Sequence, residues 1–417
     1  MDLPGLLLDH AALLVLDMQK EFFTKNRAFV QTGLIQATST TDRNRLVSNA
    51  KTLLEVMRAK GRPVVYVNTG FRADFADCFL SPPWRDCITK EAPCLIEGTE
   101  SAAVIDELYP REGDFVFTKK THGAFQYTHL DPILSEQHVD TCVLVGNLFS
   151  GMDETLIEGG ALGYDFVVAS DGSFPLDSSY LKFISNHTFI EKTADLIARM
   201  QNIKDELPAR KPAMIMIDLQ NDSLHPTGAN HRMGRRGYTE QQLNEIVSNN
   251  QKIAAAMGAR GLPVICVKFV KRIRGRNIDF DTASSKMYRR LHVVPAGVDN
   301  CTDGTWGADF VDELKPQDGD FVLTKRSSSA FSTTHLHRVL RNLDVNVMWL
   351  TGGSVSGCLA ATLREGVALG YRAVVVADAT YPPDQRSIAL QSLSKRAEIS
   401  STNDVLSRLD SDWKVLT

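Results

Sequence analysis

LTGGSVSGCLAATLREGVALGY, residues 350–371, is the stretch on which the reading of this chain turns. The apolar residues 345–350 predict a strand, the small residues after it a loop, and residues 359–369 a helix with Gly370 as its C-terminal cap. Cys358 stands at the junction of loop and helix. A thiol there faces unpaired backbone N–H groups and the positive end of the helix dipole, which predicts a pKa below the free value of about 8.5. The same N–H groups can hold the oxyanion that forms when a carbonyl carbon is attacked. The opposing reading is a buried cysteine acting as a small hydrophobe.

Working outward, the pattern occurs twice. VMWLTGGSVSGCLAATLREGVALGY (347–371) is preceded by CVLVGNLFSGMDETLIEGGALGY (142–164). AALLVLDMQKEFF (11–23) returns as PAMIMIDLQNDSL (212–224), and KGRPVVYV (60–67) as RGLPVICV (260–267). DELYPREGDFVFTKKTHGAFQYTHL (106–130) returns as DELKPQDGDFVLTKRSSSAFSTTHL (312–336). The order is the same and the offset nearly constant, so the chain is two copies of one domain, 1–203 and 211–417. The seam is the polar, proline-bearing KDELPARKP (204–212).

In the second copy, strand-length apolar runs at 213–217, 263–267, 321–323, 345–350 and 373–376 alternate with amphipathic segments. One of these, 240–257, puts Leu243, Ile246, Ile253 and Met257 on a single stripe. Continuous apolar strands separated by helices predict an α/β fold: two tandem three-layer α/β/α domains, each with a mainly parallel, Rossmann-like sheet. Ligands of such sheets bind at the carboxyl ends of the strands. Asp218 follows the first strand, Lys325 the third and Cys358 the fourth, so three reactive side chains share one edge. An acid, an ammonium and a thiol suit nucleophilic acyl transfer. Asp218 takes the Cys358 proton and returns it to a leaving amine, Lys325 keeps Asp218 ionised, and water hydrolyses the thioester with Asp218 as base. The plainer readings are a turn or capping role for Asp218 and a solvated loop charge for Lys325.

Composition narrows the class. A chain of 417 residues, 43% hydrophobic and 23% charged, can core two domains, and its net charge of −4 gives no reason to expect nucleic acid or an anionic membrane. Seven cysteines without CxxC spacing point to neither a zinc site nor a disulfide framework, and so to a reducing, cytoplasmic setting. The apolar start carries Asp2, Asp9 and Asp17 and lacks the basic residues of a signal peptide; no run is long enough to cross a bilayer.

At IDLQND with Asp218, KRSSSAF with Lys325 and GGSVSGC with Cys358, the chain resembles the isochorismatase-like cysteine hydrolase superfamily, and the resemblance runs through both halves. It implies an Asp–Lys–Cys triad on a six-stranded parallel sheet and a non-proline cis peptide at Gly353–Ser354. It also implies an oxyanion hole made by the Ser354 and Cys358 N–H groups. The activity implied is cofactor-independent hydrolysis of a small amide, carbamoyl compound or lactam. Candidate pocket residues are Phe331, Trp306 and Arg272, the last in the basic run Lys268, Lys271, Arg272, Arg274 and Arg276. Core packing for the two aromatics and solvated charge for the run are the competing readings. His225 and His231 read as a surface loop after Asp218. Nicotinamidases of the superfamily hold a metal through Asp-x-His after the second strand plus another His. CVKFVKRIRGRN (266–277) and YVNTGFRADF (66–75) contain no such set, so no metal is expected.

The first copy departs from the pattern. Asp17 and Lys119 match, but the nucleophile position falls on Met152 counting from Gly146 and on Gly151 counting back from Tyr164. Ser150 precedes both and lacks a histidine base. Isochorismatases proper lack the cysteine and use the aspartate for vinyl-ether hydrolysis. The first half therefore has two readings: an Asp17-dependent vinyl-ether hydrolase, or a copy without chemistry that serves folding and docking. A third reading makes the whole chain a silent scaffold. Expected partners are a small-molecule substrate, no nucleic acid and no membrane. The two halves are expected to pair as an internal pseudo-dimer, with further homo-oligomerisation left open.

Overall fold

The computed structural model describes residues 8, 10–23, 39–91, 93–147, 151–174, 178–185, 188–201, 211–234, 238–271, 300–382 and 386–410. Arg272, Arg274, Arg276, Ser150, the loop 275–290 and linker residues 204–210 lie outside the described residues. The chain divides into two compact units, Met1–Pro208 and Ala209–Thr417.

In the first unit, β1 (Ala11–Leu16), β2 (Val64–Thr69), β3 (Phe115–Lys119), β4 (Thr141–Asn147), β5 (Asp165–Phe174) and β6 (Phe189–Glu191) form one sheet. Its order is β3-β2-β1-β4-β5-β6, and every pairing is parallel. In the second unit, β7 (Pro212–Ile217), β8 (Val264–Phe269), β9 (Phe321–Lys325), β10 (Val347–Gly353), β11 (Arg372–Tyr381) and β12 (Glu398–Ser400) repeat that order as β12-β11-β10-β7-β8-β9. These pairings are parallel too. Among the flanking helices are α1 (Thr40–Ala59) and α2 (Met152–Leu162) of the first unit, and α3 (Glu240–Gly258), α4 (Cys358–Ala368) and α5 (Arg386–Leu393) of the second. No helix among the described residues is long and apolar enough to cross a membrane.

β1 and β7 are apolar and buried at every position because both faces of each sheet are covered. On one face of the second sheet, Met214, Met216, Val264 and Cys266 pack against the α3 stripe of Leu243, Ile246, Ile253 and Met257. On the other, Ile215, Ile217, Ile265 and Val267 pack with Leu359 and Leu363 of α4. The 3.6-residue period of α3 and the two-residue period of β7 thus feed the same core. α3 starts at a capping box in which Thr239 and Gln242 satisfy each other's backbone N–H. Each fully buried aliphatic side chain stabilises the unit by about 1.5–3 kcal/mol, so Ile215→Ala, for example, is expected to cost about 2–5 kcal/mol with its cavity.

The strand ends differ from expectation. β10 runs on to Gly353 and β11 to Tyr381, with a register shift between Leu350 and Gly352. The extension of β11, ADATY, is small and polar and does not read as strand; it is held by pairing to β10 rather than by an apolar face. β12 is a sixth, short strand outside the five apolar runs. Gly352 has φ +81°, and a Cβ there would sit 2.1 Å from the Ile217 carbonyl oxygen. Gly146 repeats this with φ +124° and 2.0 Å to Leu16. Only glycine lets the fourth strand of each unit close on the end of the first. That closure lies at the switch point, where β8 and β9 follow β7 on one side and β10 to β12 lie on the other.

Candidate active site

Asp218 is the first residue after β7, with φ +54°; its N–H donates to the Val267 carbonyl at 2.8 Å. The left-handed turn, tolerated by Asp, swings the carboxylate across the carboxyl end of β8. Lys325, the last residue of β9, reaches it from the other side: Nζ lies 3.0 Å from Asp218 Oδ2. Lys325 is fully buried and Asp218 nearly so, which removes the solvated-loop reading of Lys325. Nζ also donates to the Ser327 carbonyl at 3.2 Å and stands 4.8 Å from the centroid of the Phe269 ring.

Cys358 is the first residue of α4 and is partly exposed; the other six cysteines are buried. Its thiol hydrogen-bonds with the Asp218 carboxylate and is coupled to the Lys325 charge. Asp218 Oδ1 is buried without a hydrogen-bond partner, while the carboxylate as a whole interacts with the Cys358 thiol and the Phe269 backbone. The helix start is pinned from below. Thr362 Oγ1 donates to the Cys358 carbonyl at 2.8 Å and accepts the Ala330 N–H at 3.0 Å. The Gly353–Ser354 peptide is cis, and Val355 N–H donates to the Tyr381 carbonyl at 2.8 Å.

The electrostatics reverse one expectation. The Cys358 thiol is pushed up to about 12, not down: burial comes first, the Asp218 charge adds to it, and the opposing Lys325 charge is outweighed. Position at a helix N-terminus is too weak to overcome a desolvated carboxylate in contact. Asp218 is itself raised above the ordinary carboxylate range by burial, against the pull of Lys325 and of the thiol. Burial would lower Lys325, yet Asp218 and Cys358 together raise it, so it stays an ammonium. The resting arrangement is a neutral thiol beside a buried carboxyl group whose pKa is raised by burial and opposed by a buried ammonium.

Gln220 braces this edge. Its Nε2 donates to the Phe269 and Ala308 carbonyls at 2.8 and 2.7 Å, and its Oε1 accepts the Phe269 N–H at 2.8 Å. Gln19 makes the same clamp in the first unit with Thr69 and Ala102. Sequence reasoning missed this residue, although its recurrence in VLDMQ and IDLQ was a usable signal. Asp222 accepts the Ala229 and Cys301 N–H groups at 2.9 and 2.7 Å and is a structural anchor.

The candidate pocket residues separate. Trp306 is half-exposed; its carbonyl accepts Asn221 Nδ2 at 2.8 Å and its ring meets His225 edge-on at 4.9 Å. It therefore belongs to a loop tied to the turn after Asp218. Phe331 is buried, stacks on Tyr371 with centroids 5.9 Å apart, and sits against Gly366, two turns along α4 from Cys358. Expected as a pocket wall, it is packed beneath the helix. His231 lies in the short helix Ala229–Arg232. Among the described residues, no three His, Cys, Asp or Glu side chains group as a metal-ligand set.

At the matching place in the first unit, Lys119 Nζ lies 3.0 Å from Asp17 Oδ2 and both residues are buried. Thr155 Oγ1 donates to the Gly151 carbonyl at 2.6 Å and accepts the Ala124 N–H at 3.1 Å, as Thr362 does with Cys358 and Ala330. Helix phase therefore selects Gly151, not Met152, as the counterpart of Cys358. A Cβ on Gly151 would lie 1.9 Å from the His122 carbonyl oxygen, and φ there is +103°.

A family model for the isochorismatase domain matches the chain twice, at residues 11–197 and 212–404. The chain belongs to the isochorismatase family. Among its relatives in this family is the ureidoacrylate amidohydrolase RutB of Pantoea ananatis, 28% identical over 215 residues, 48% of this chain and 83% of that protein. RutB of Pseudomonas syringae pv. syringae is 30% identical over 191 residues, 42% of this chain and 76% of that one. Similar solved structures include a cysteine hydrolase from Pseudomonas syringae pv. phaseolicola at 25% identity, covering 49% of this chain and 95% of that one with a TM-score of 0.41. An N-carbamoylsarcosine amidase from Thermoplasma acidophilum is 25% identical over 44% of this chain and 96% of that one, with a TM-score of 0.35. As an isochorismatase-family hydrolase the chain is duplicated, and each family match falls within one compact unit as far as its strands extend.

Proposed function

We propose that the second unit hydrolyses a C–N bond of a small amide or carbamoyl compound through a thioester on Cys358. The observation that carries this is the buried Asp218–Lys325 pair, in contact with the Cys358 thiol and with one carboxylate oxygen, Oδ1, left without a hydrogen-bond partner. Kinship with an amidohydrolase supports the bond type.

As sulfur attacks the substrate carbonyl carbon, the thiol proton passes to Asp218, so no free thiolate is needed from a group titrating at about 12. The carbonyl electron pair moves onto oxygen, which the N–H groups of Cys358, at the first turn of α4, and of Ser354 receive. Asp218 then gives its proton to the departing nitrogen, the C–N bond breaks, and the amine leaves. Water attacks the thioester as Asp218 takes one of its protons. Collapse expels sulfur, which recovers that proton, and the acid product departs. Lys325 holds the carboxylate ionised at the start of each half-reaction and offsets the charge on sulfur and oxygen.

Vinyl-ether hydrolysis by Asp17 finds less support. Its Oδ2 pairs with Lys119 and its Oδ1 accepts the Thr69 hydroxyl at 2.8 Å, while the His122 carbonyl occupies the adjoining space. The test is a panel of small amides, N-carbamoyl compounds and lactams assayed with wild type and Cys358→Ala in parallel. Hydrolysis lost in the variant supports the proposal; equal rates in the two proteins, or no turnover of any member, would sink it.

A further inference from the structure

We propose that Tyr381 is a positioning residue that locks the base and the oxyanion loop of the second unit to each other. The proposal rests on the reading of Cys358, Asp218 and Lys325 given above, and it concerns a residue that touches none of their reacting atoms.

Tyr381 ends β11 and acts in three directions. Its hydroxyl donates to the Asp218 carbonyl at 2.7 Å, and the Ser223 hydroxyl bonds to the same phenol. Its own carbonyl accepts the Val355 N–H at 2.8 Å, one residue past Ser354. Its ring lies on Gly353, where a Cβ would come within 2.9 Å of two ring carbons and 2.5 Å of the Tyr381 carbonyl oxygen. A single buried side chain thus spans from the turn that aims the base to the loop that precedes the nucleophile. Burial and the Asp218 charge push the phenol well above its ordinary pKa, so it remains a donor.

The first unit supplies the contrast. Its registered pair is Asn147 with Phe174, where the second unit has Gly353 with Tyr381. Asn147 carries a Cβ where Gly353 leaves room, and the Phe174 ring packs edge-on against Phe23 at 4.6 Å. With no hydroxyl, Phe174 cannot bond to the Asp17 carbonyl. The tie from base to loop is therefore present in the unit that has the thiol and absent from the unit that lacks it. A merely structural aromatic at this position needs no hydroxyl, as Phe174 shows.

Tyr381→Phe removes one oxygen and keeps the ring and backbone. In the full chain, kcat should fall about tenfold with KM changed less than about twofold, the loss of one buried hydrogen bond acting on geometry. Iodoacetamide labelling of Cys358 should shift its pH profile to lower pH in the same variant, because a loosened Asp218 raises the thiol less. The unfolding midpoint serves as control, and Tyr381→Leu, which also removes the ring, should lower it where Tyr381→Phe leaves it close to wild type. An unchanged kcat and an unmoved labelling profile in Tyr381→Phe overturn the proposal while leaving the Cys358 chemistry standing. A parallel fall in kcat, labelling at all pH values and unfolding midpoint also overturns it, by showing a structural role alone. Failure of wild type on the substrate panel overturns the parent reading instead.

Discussion

The two units carry the same buried Asp–Lys pair at the same sheet edge, yet they finish it differently. In the first, Lys119 takes one oxygen of Asp17 and the Thr69 hydroxyl takes the other. In the second, Phe269 stands where the repeat places Thr69, and Asp218 Oδ1 has no hydrogen-bond partner. The lysine contacts differ in length: Lys119 donates to the His122 carbonyl at 2.6 Å, which lies over Gly151, and Lys325 to the Ser327 carbonyl at 3.2 Å. The first unit thus fills both oxygens of its buried acid. The second leaves Asp218 Oδ1 buried without a hydrogen-bond partner. A buried ion pair is by itself weak evidence of chemistry, since it can serve structure alone; the two units differ in whether both oxygens of the acid are filled.

Five substitutions and a pH profile test that contrast, taken from the largest expected effect down. Cys358→Ala should reduce hydrolysis by about 10⁴-fold or more, and Asp17→Asn should leave it unchanged, measured as initial rates on the same substrate. Loss of activity in Asp17→Asn would erase the distinction between the units. Asp218→Asn should cost about 10³-fold in kcat, the scale of a general acid–base group. It should nonetheless speed alkylation of Cys358 at neutral pH. The sign follows from the Asp218 charge, which raises the thiol: removing it lowers the thiol pKa. Slower labelling in Asp218→Asn would contradict the coupling.

Gly151→Cys restores the missing atom type to the first unit, but its Cβ meets the His122 carbonyl in a left-handed backbone. It should destabilise the chain by about 2–3 kcal/mol in denaturant unfolding and confer no second activity. A stable variant with a second labelled thiol would mean that the first site is less closed than its geometry states. Phe269→Thr carries the first unit's hydroxyl into the second. Filling Asp218 Oδ1 as the Thr69 hydroxyl fills Asp17 Oδ1, it should lower kcat about tenfold. The acid limb of kcat/KM in wild type should lie above the ordinary Asp value of about 3.9, since burial raises Asp218 and activity is lost as pH falls through that raised value.

Much of this was legible beforehand, for reasons particular to certain residues. Duplication gave every motif an internal control, so Asp218, Lys325 and Cys358 stood out against Asp17, Lys119 and a position falling on Gly151 or Met152. The continuous apolar runs announced strands covered on both faces, and the stripe through Leu243, Ile246, Ile253 and Met257 announced α3. The extension of β11 through ADATY was not legible, because its residues become strand only by pairing with β10. Tyr381 was invisible for the same reason: nothing local says that a tyrosine before a proline will reach a carbonyl 163 positions away in the chain. Phe269 and Thr69 differ openly in the repeat, but their meaning depends on which carboxylate oxygen each one faces.

Sequence alone determined the order of the strands' chemistry: which edge carries an acid, an ammonium and a thiol, and which copy lacks the thiol. Those are matters of period and position along a chain. Tertiary structure decided the protonation of Cys358, the closure of the first site by His122, and the bridge through Tyr381. Each depends on desolvation or on distances of a few ångströms between segments remote in sequence, and such quantities exist only once the chain has packed.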